Sequence, residues 1–333
     1  MNRSLRPSAG PAVEPRSSLS RRGFLSLSAL GLAGAVAPGA LAPAAAATAT
    51  PRWPGHKPGK VYLGMSCPGE IALATTATGA VGTQRSFFGW DQVADEVRQI
   101  RTDHAAARLP WVSFKPPGGA AGWKALAAGT YDAQLRQRAL AYAGTRKPVV
   151  VTFHHEPTND SDDGAAFAAA WVRIHDVMKA TTGLRNVAFA PIIGDWEFNP
   201  RNRSGHPEDY LTPAVLRRMA FLGVDCYQNA SGDAFDVRLG RIVTWLGAHG
   251  AGGKMIGIGE TGCTGSFSSR SAVDWWNASW TWASANPDKI GIVSYFNSGR
   301  NSKETVYWPL DESAAKLRAY RAALGSARTA RAL

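Results

Sequence analysis

Runs of β-branched, aromatic and other apolar residues recur along this sequence without polar alternation, and between them apolar positions return at three- and four-residue intervals. The first pattern predicts strands buried on both faces, the second amphipathic helices. Strands are expected over Val61–Ser66, Arg85–Phe88 and Leu109–Phe114. A fourth starts at Val149 and runs into His154-His155-Glu156, and four more follow over Asn186–Ile193, Gly223–Tyr227, Met255–Gly259 and Ile290–Phe296. Helical spacing covers Asp91–Ala106, with Val93, Val97 and Ile100 on one face, and Tyr131–Tyr142. A third helix starts at the acidic cap Asp162-Asp163 and carries Phe167, Trp171, Ile174, Val177 and Met178, and Ser313–Leu324 closes the series. The second strand is the least regular, because Gly82–Trp90 is short and poorly patterned. Eight strands alternating with helices argue for an α/β fold, a single closed (β/α)8 TIM barrel. An open doubly wound sheet would bring a phosphate-binding glycine loop after its first strand, and none is present.

Composition changes this picture little, and charge changes it only at the ends. Of 333 residues, 45% are apolar and 19% charged, enough for a core without disulfides. The net charge of +12 suggests a polyanion partner until it is located. Residues 1–60 hold eight Arg/Lys and one acid, residues 313–333 hold five and none, and the remaining 24 basic and 24 acidic residues balance. A neutral domain gives no electrostatic reason to bind nucleic acid. Residues 1–49 read as an export signal: Ser20-Arg21-Arg22-Gly23-Phe24-Leu25 matches the twin-arginine pattern, ahead of a weakly apolar run to Val36 and small residues at Ala44–Ala49. Its glycines and prolines argue against stable membrane insertion. Export predicts a secreted protein with a polymeric or extracellular substrate rather than a metabolite. The Pro/Gly-rich residues 50–60 read as a linker, 61–325 as the barrel and 326–333 as a basic tail.

Chemistry is expected where the fourth and seventh strands stop. Val149-Val-Val-Thr-Phe153 ends in His154, His155, Glu156 and a Pro157 turn, and Met255-Ile-Gly-Ile-Gly259 ends in Glu260 and a Gly262 turn. In a barrel both fall at the carboxyl ends of the strands, facing each other over the mouth. Glycosidic bond cleavage needs such a pair, one carboxyl to protonate the leaving oxygen and one to attack or to activate water; in retaining enzymes they stand about 5–5.5 Å apart.

Phe153-x-His155-Glu156, Gly223-Val-Asp-Cys-Tyr227 and Gly259-Glu260-Thr-Gly262, with Gly129-Thr-Tyr131-Asp132 and Ala170-Trp171, resemble glycoside hydrolase family 26. This family consists of retaining β-glycanases, mostly β-mannanases, of the large clan with its acid/base on strand four and nucleophile on strand seven. The resemblance spans most of residues 60–322. It implies Glu156 as general acid/base, Glu260 as nucleophile, Tyr227 as a donor that keeps Glu260 ionised, and His155 as an orienting residue. Strict alternation would put His154, not His155, on the face of Glu156, so a β-bulge is expected at that strand end. Two departures bear on substrate: Pro157-Thr158-Asn159-Asp160-Ser161 stands where the mannanases resemble one another in an Asn-Gly turn and a tryptophan cluster, and Tyr295-Phe296-Asn297 where many have a tryptophan. The resemblance implies an endo-acting hydrolase of a β-linked, β-mannan-type polysaccharide; a monomer without cofactor is expected. A same-clan enzyme on mixed-linkage glucan, β-1,3-xylan or a self-made exopolysaccharide, and a carbohydrate-binding barrel without turnover, stay open.

Other candidates for sugar contact are Trp90, Trp196 and Trp308 after strands two, five and eight, Lys115 after strand three, His154, Asn159, Tyr295 and Asn297. Asp195 and Glu197 flank Trp196, and Asp225 fits a structural hydrogen bond as well as catalysis. Trp275, Trp276, Trp280 and Trp282 crowd one helix and are expected to pack on the barrel. Adjacent His154 and His155 lack the His-Glu-x-x-His spacing of a metal site, and the three cysteines fit no zinc pattern. A Cys67–Cys263 disulfide is compatible with export, with Cys226 a buried thiol.

Overall fold

The computed structural model describes residues 50–67, 71–229, 232–267, 270–299 and 306–333; the expected twin-arginine segment lies outside them. Strands β1 (Val61–Ser66), β2 (Thr83–Phe88), β3 (Leu109–Phe114), β4 (Val149–Phe153), β5 (Val187–Phe189), β6 (Ile192–Gly194), β7 (Leu222–Asp225), β8 (Ile256–Thr261) and β9 (Ile290–Phe296) form one parallel sheet in the order β5-β4-β3-β2-β1-β9-β8-β7-β6. β5 and β6 are halves of the expected fifth strand, split at Pro191, which has no N–H to give a ladder.

Hydrogen bonds run past the split on both sides. Ala190 N donates to Val151 O and Glu156 N to Ile192 O, each at 3.0 Å, while Ala220 N donates to Phe189 O and Gly223 N to Pro191 O, each at 2.8 Å. The sheet therefore closes on itself as a (β/α)8 barrel, with β7, β8 and β9 its sixth, seventh and eighth strands.

The helices are α1 (Ile71–Thr78), α2 (Val93–Ala105), α3 (Gly122–Ala127), α4 (Asp132–Ala143), α5 (Gly164–Lys179), α6 (Pro207–Tyr210), α7 (Pro213–Arg218), α8 (Phe235–Ala248), α9 (Ala272–Ala285) and α10 (Ala314–Gly325). None of the described helices is long and apolar enough to cross a membrane. Strand residues facing outward, among them Leu63, Val112, Val149, Val151 and Ile258, pack against the helices in one apolar layer. That layer takes Phe167, Trp171, Ile174 and Met178 from α5 and Trp275, Trp276 and Trp280 from α9. Each such large side chain, fully buried, is worth about 1.5–3 kcal/mol. Alternate strand residues, Tyr62, Trp111, Val150, Ile192 and Ile292, fill the barrel interior.

The two segments read as linker and tail are parts of the barrel floor. Trp53 is buried inside the ring against Phe221, ring centroids 5.0 Å apart, and Gly55 O accepts the Tyr62 hydroxyl at 2.8 Å. At the other end Thr329–Ala330 (β10) pairs in parallel with β1, and Leu333 N donates to Ala107 O at 2.7 Å. An open barrel end would leave interior apolar side chains wet, and these residues cover it. The Cys67–Cys263 disulfide is not formed: Cys226 and Cys263 are buried free thiols, and Cys263 Sγ lies 3.7 Å from the Tyr295 hydroxyl.

Candidate active site

At the carboxyl ends of the strands lies a cavity of about 940 Å³. Seven of the expected site residues line it: Glu156, Glu260, His155, Tyr227, Asn159, Lys115 and Trp308. Phe87, Phe88, Phe267 and Phe296 supply apolar wall, and Gln92 and Gln228 supply amides.

Two local departures from regular strand aim the glutamates inward. Beyond Phe153 the chain leaves β4 with His154 at φ +44° and Glu156 at φ +48°. This left-handed turn takes the place of the expected β-bulge. It sends the His154 ring outward to Trp123 on α3, and leaves His155 on the cavity side against Phe87, centroids 5.1 Å apart. The bulge sits instead on β8: Val224 pairs with Ile258 but Asp225 pairs with Glu260, so Gly259 is an extra residue. Ile256 and Ile258 face the helices. Strict alternation would point Glu260 the same way, and the extra residue turns it into the mouth. Only glycine fits there, because a Cβ on Gly259 would meet Asp225 Oδ1 at 2.5 Å and Ile192 Cδ1 at 2.9 Å.

Glu260 is held from two sides. Arg85 Nη1 on β2 lies 2.9 Å from its Oε1 and 3.1 Å from Asp225 Oδ1, and the Tyr227 hydroxyl donates to its Oε2 at 2.5 Å. Burial and the Glu260 charge push the Tyr227 phenol well above its ordinary value, so it stays a donor. Tyr227 also packs on Trp308, centroids 4.8 Å apart, and a Cβ on Gly262 would meet the Trp308 ring at 2.9 Å. This accounts for the second glycine of the Gly-Glu-Thr-Gly stretch.

Glu156 is set the other way. Burial first, and then the charge of Glu260, push its carboxyl up to about 7 against the pull of Arg85; Asn159 Nδ2 donates to its Oε2 at 3.1 Å. Burial pushes the His155 imidazole well below its ordinary value, helped by Arg85 and Lys115, so the ring is neutral. Burial pushes Asp225 up against Arg85. The mouth thus holds, on opposite strands, one carboxyl pushed up by its surroundings and one bound by a guanidinium and a phenol.

Five expected contact residues are elsewhere. His154 is fully buried behind the mouth. Trp90 is buried among Phe114, Tyr131 and the Arg138 guanidinium, 4.9 Å from its ring. The Tyr295 hydroxyl donates to Trp308 O at 2.7 Å from the core, and Asn297 Oδ1 accepts from Leu310 N at 2.8 Å beside a second, smaller cavity. Trp196 is half exposed under Arg201. Behind the site, Asp195 is bound by Arg238 and Glu197 by the Thr158 hydroxyl. Arg85 was not foreseen; its one signal is a cationic residue at the start of an expected barrel strand.

The fold and mouth define the class: a closed (β/α)8 barrel with a carboxyl pair on its fourth and seventh strands. No family model matches the chain, and no curated protein matches its sequence. Solved structures do match. The chain is similar to BoMan26A, a GH26 β-mannanase from Bacteroides ovatus, at 17% identity and TM-score 0.58 over 81% of this chain and 90% of that one. A β-mannanase from a symbiotic protist of the termite Reticulitermes speratus matches at 12% identity and TM-score 0.54, over 84% and 96%. Two fungal β-1,4-galactanases are represented at 11% identity and TM-score 0.57, over 79% and 99%. At these identities the likeness shows a shared fold.

Proposed function

We propose that this chain is a retaining β-glycoside hydrolase with Glu156 as acid/base and Glu260 as nucleophile. One observation carries the reading: two carboxyls share a cavity in different surroundings, Glu156 pushed up to about 7 and Glu260 bound by Arg85 and Tyr227. Such divergence assigns acid and nucleophile. In the first step a Glu260 oxygen bonds to the anomeric carbon, the glycosidic C–O bond breaks, and the Glu156 proton goes to the leaving oxygen. In the second, Glu156 takes a proton from water, the water oxygen bonds to the anomeric carbon, and the ester bond to Glu260 breaks. Arg85 and Tyr227 aim Glu260 at the anomeric carbon.

The substrate we propose is a β-mannan-type polysaccharide, cut internally by an exported, monomeric enzyme. The fold likeness to mannanases and the aromatic walls of the cavity support the polymer, and the twin-arginine motif supports export. A second reading, a β-glucan, β-1,3-xylan or exopolysaccharide, is favoured by the Pro157–Ser161 turn, which departs from the mannanase pattern. The test is product analysis of residues 50–333 on β-mannan, glucomannan, mixed-linkage glucan, β-1,3-xylan and cellulose, with anomers followed by NMR. Oligosaccharides of retained configuration from one polymer, absent with Glu260→Ala, are expected. Inversion, or undiminished turnover by Glu260→Ala, sinks the mechanism, and binding without product favours a barrel that only binds sugar. Export is tested by replacing Arg21 and Arg22 with lysine, which should hold the protein inside the cell.

A further inference from the structure

The strained turn that presents Glu156 is held by side chains outside its chemistry. His154 and Glu156 both sit at positive φ, which costs a non-glycine residue of order 1–3 kcal/mol and persists only where the surroundings over-determine it. The surroundings here are specific. Both nitrogens of the buried His154 ring are engaged: Trp123 Nε1 donates to Nδ1 at 2.8 Å, and Nε2 meets Asp160 Oδ2. An indole N–H can only donate. Nδ1 therefore carries the lone pair, Nε2 carries the proton, and the neutral ring donates to Asp160.

The same Asp160 oxygen accepts from Lys115 Nζ at 3.0 Å, just past β3. His154 and Asp160 thus bracket the turn that carries Glu156 and Asn159, and tie it to α3 on one side and β3 on the other. Asn159 inside the bracket reaches the Glu156 carboxyl.

We infer that Trp123, His154, Asp160 and Lys115 form a clamp that aims Glu156 at the leaving oxygen, with Trp123, His154 and Asp160 as positioning residues for acid catalysis. The inference rests on Glu156 being the acid. It moves His154 from a sugar contact to a hinge pin, and gives a role to the Pro-Thr-Asn-Asp run.

Loosening the clamp should impair protonation of the leaving group more than nucleophilic attack. General acid catalysis contributes about 10²–10⁴-fold, so a partial loss of aim should show as about tenfold or more. The probes are a dinitrophenyl β-mannobioside, whose leaving group needs no proton, and the phenyl analogue, which does, with the matching cellobiosides as a second pair. Asp160→Ala, in a partly exposed loop, and Trp123→Phe, which deletes the indole N–H and keeps an aromatic ring, should each lose about tenfold or more in kcat/KM on the phenyl substrate and under about threefold on the dinitrophenyl one. A merely structural role would lower both equally. Glu156→Ala assayed alongside separates the two ideas: equal losses on both substrates in that variant overturn the acid assignment. The leaving-group pattern in Glu156→Ala, with equal losses or none in Asp160→Ala and Trp123→Phe, overturns the clamp.

Discussion

Replacing Glu156 by glutamine should stabilise the folded protein by an amount that grows as pH rises above about 4.5 and levels off beyond about 7. The folded carboxyl is pushed up to about 7 from the ordinary 4.5 by burial and by Glu260. The unfolded chain ionises this group near 4.5, while the fold keeps it protonated. Below 4.5 both states hold the proton and the group costs nothing. Between 4.5 and 7 stability falls as pH rises, at 1.36 kcal/mol per pH unit, and beyond 7 the loss is constant. The full gap is worth about 3 kcal/mol, reduced where cavity water screens the carboxyl. Glutamine keeps the shape and cannot ionise. Urea unfolding of wild type and Glu156→Gln at about pH 4 and about pH 8 reads the difference. The variant should gain up to about 3 kcal/mol on the wild type between the two conditions, seen as a higher midpoint at unchanged slope. The same group should give wild-type kcat/KM a basic limb near 7. A variant that tracks the wild type at both pH values would refute a carboxyl held neutral by its surroundings.

The other predictions follow from single contacts. Arg85→Met strips the buried cation from Asp225 and Glu260, and unfolding should show a loss of about 3–5 kcal/mol, as when one partner of a buried ion pair is removed. Tyr227→Phe deletes the donor to Glu260 Oε2; a hydrogen bond to a charged group is worth about 1.5–3 kcal/mol, so steady-state kinetics should show kcat down roughly ten- to a hundredfold with KM little changed. Gly259→Ala forces a methyl against Asp225 and Ile192, and should cost about 1–3 kcal/mol in thermal or urea unfolding together with most activity. Trp53→Ala empties the barrel floor and should cost about 3–5 kcal/mol, while kcat per folded molecule stays near wild type.

The barrel was legible because strands buried on both faces must be apolar throughout. β1, β3 and β9 begin and end where the pattern puts them. β2 was harder, and for a functional reason: Thr83-Gln84-Arg85-Ser86 looks polar because Arg85 serves the mouth. Its partners, Asp225 and Glu260, lie far along the chain, and no local signal links them. The glutamates could be placed from strand ends alone, whereas the devices that aim them, a bulge at Gly259 and a left-handed turn at His154, depend on neighbouring strands and α3. Trp90 and Tyr295 read like sugar contacts because an aromatic at or just past a strand end looks the same in either setting. Arg138 and Trp308 O, which hold them in the core, are tertiary partners. The floor went unseen because Pro/Gly-rich and basic segments carry no periodicity, although Trp53 was an apolar residue out of keeping with a linker.

The floor has a kinetic consequence. Val61 pairs with Thr329, and β1 also needs β9 as its neighbour, Tyr62 opposite Ile292, so the first strand of the ring is completed by residues far along the chain. Contacts of such sequence separation are slow, since loop-closure entropy is lost before they form. Until both pairings form, β1 has an unpaired edge, the kind of edge that recruits foreign strands. Closing the ring removes that edge, and Thr329–Ala330 join β9 in covering it.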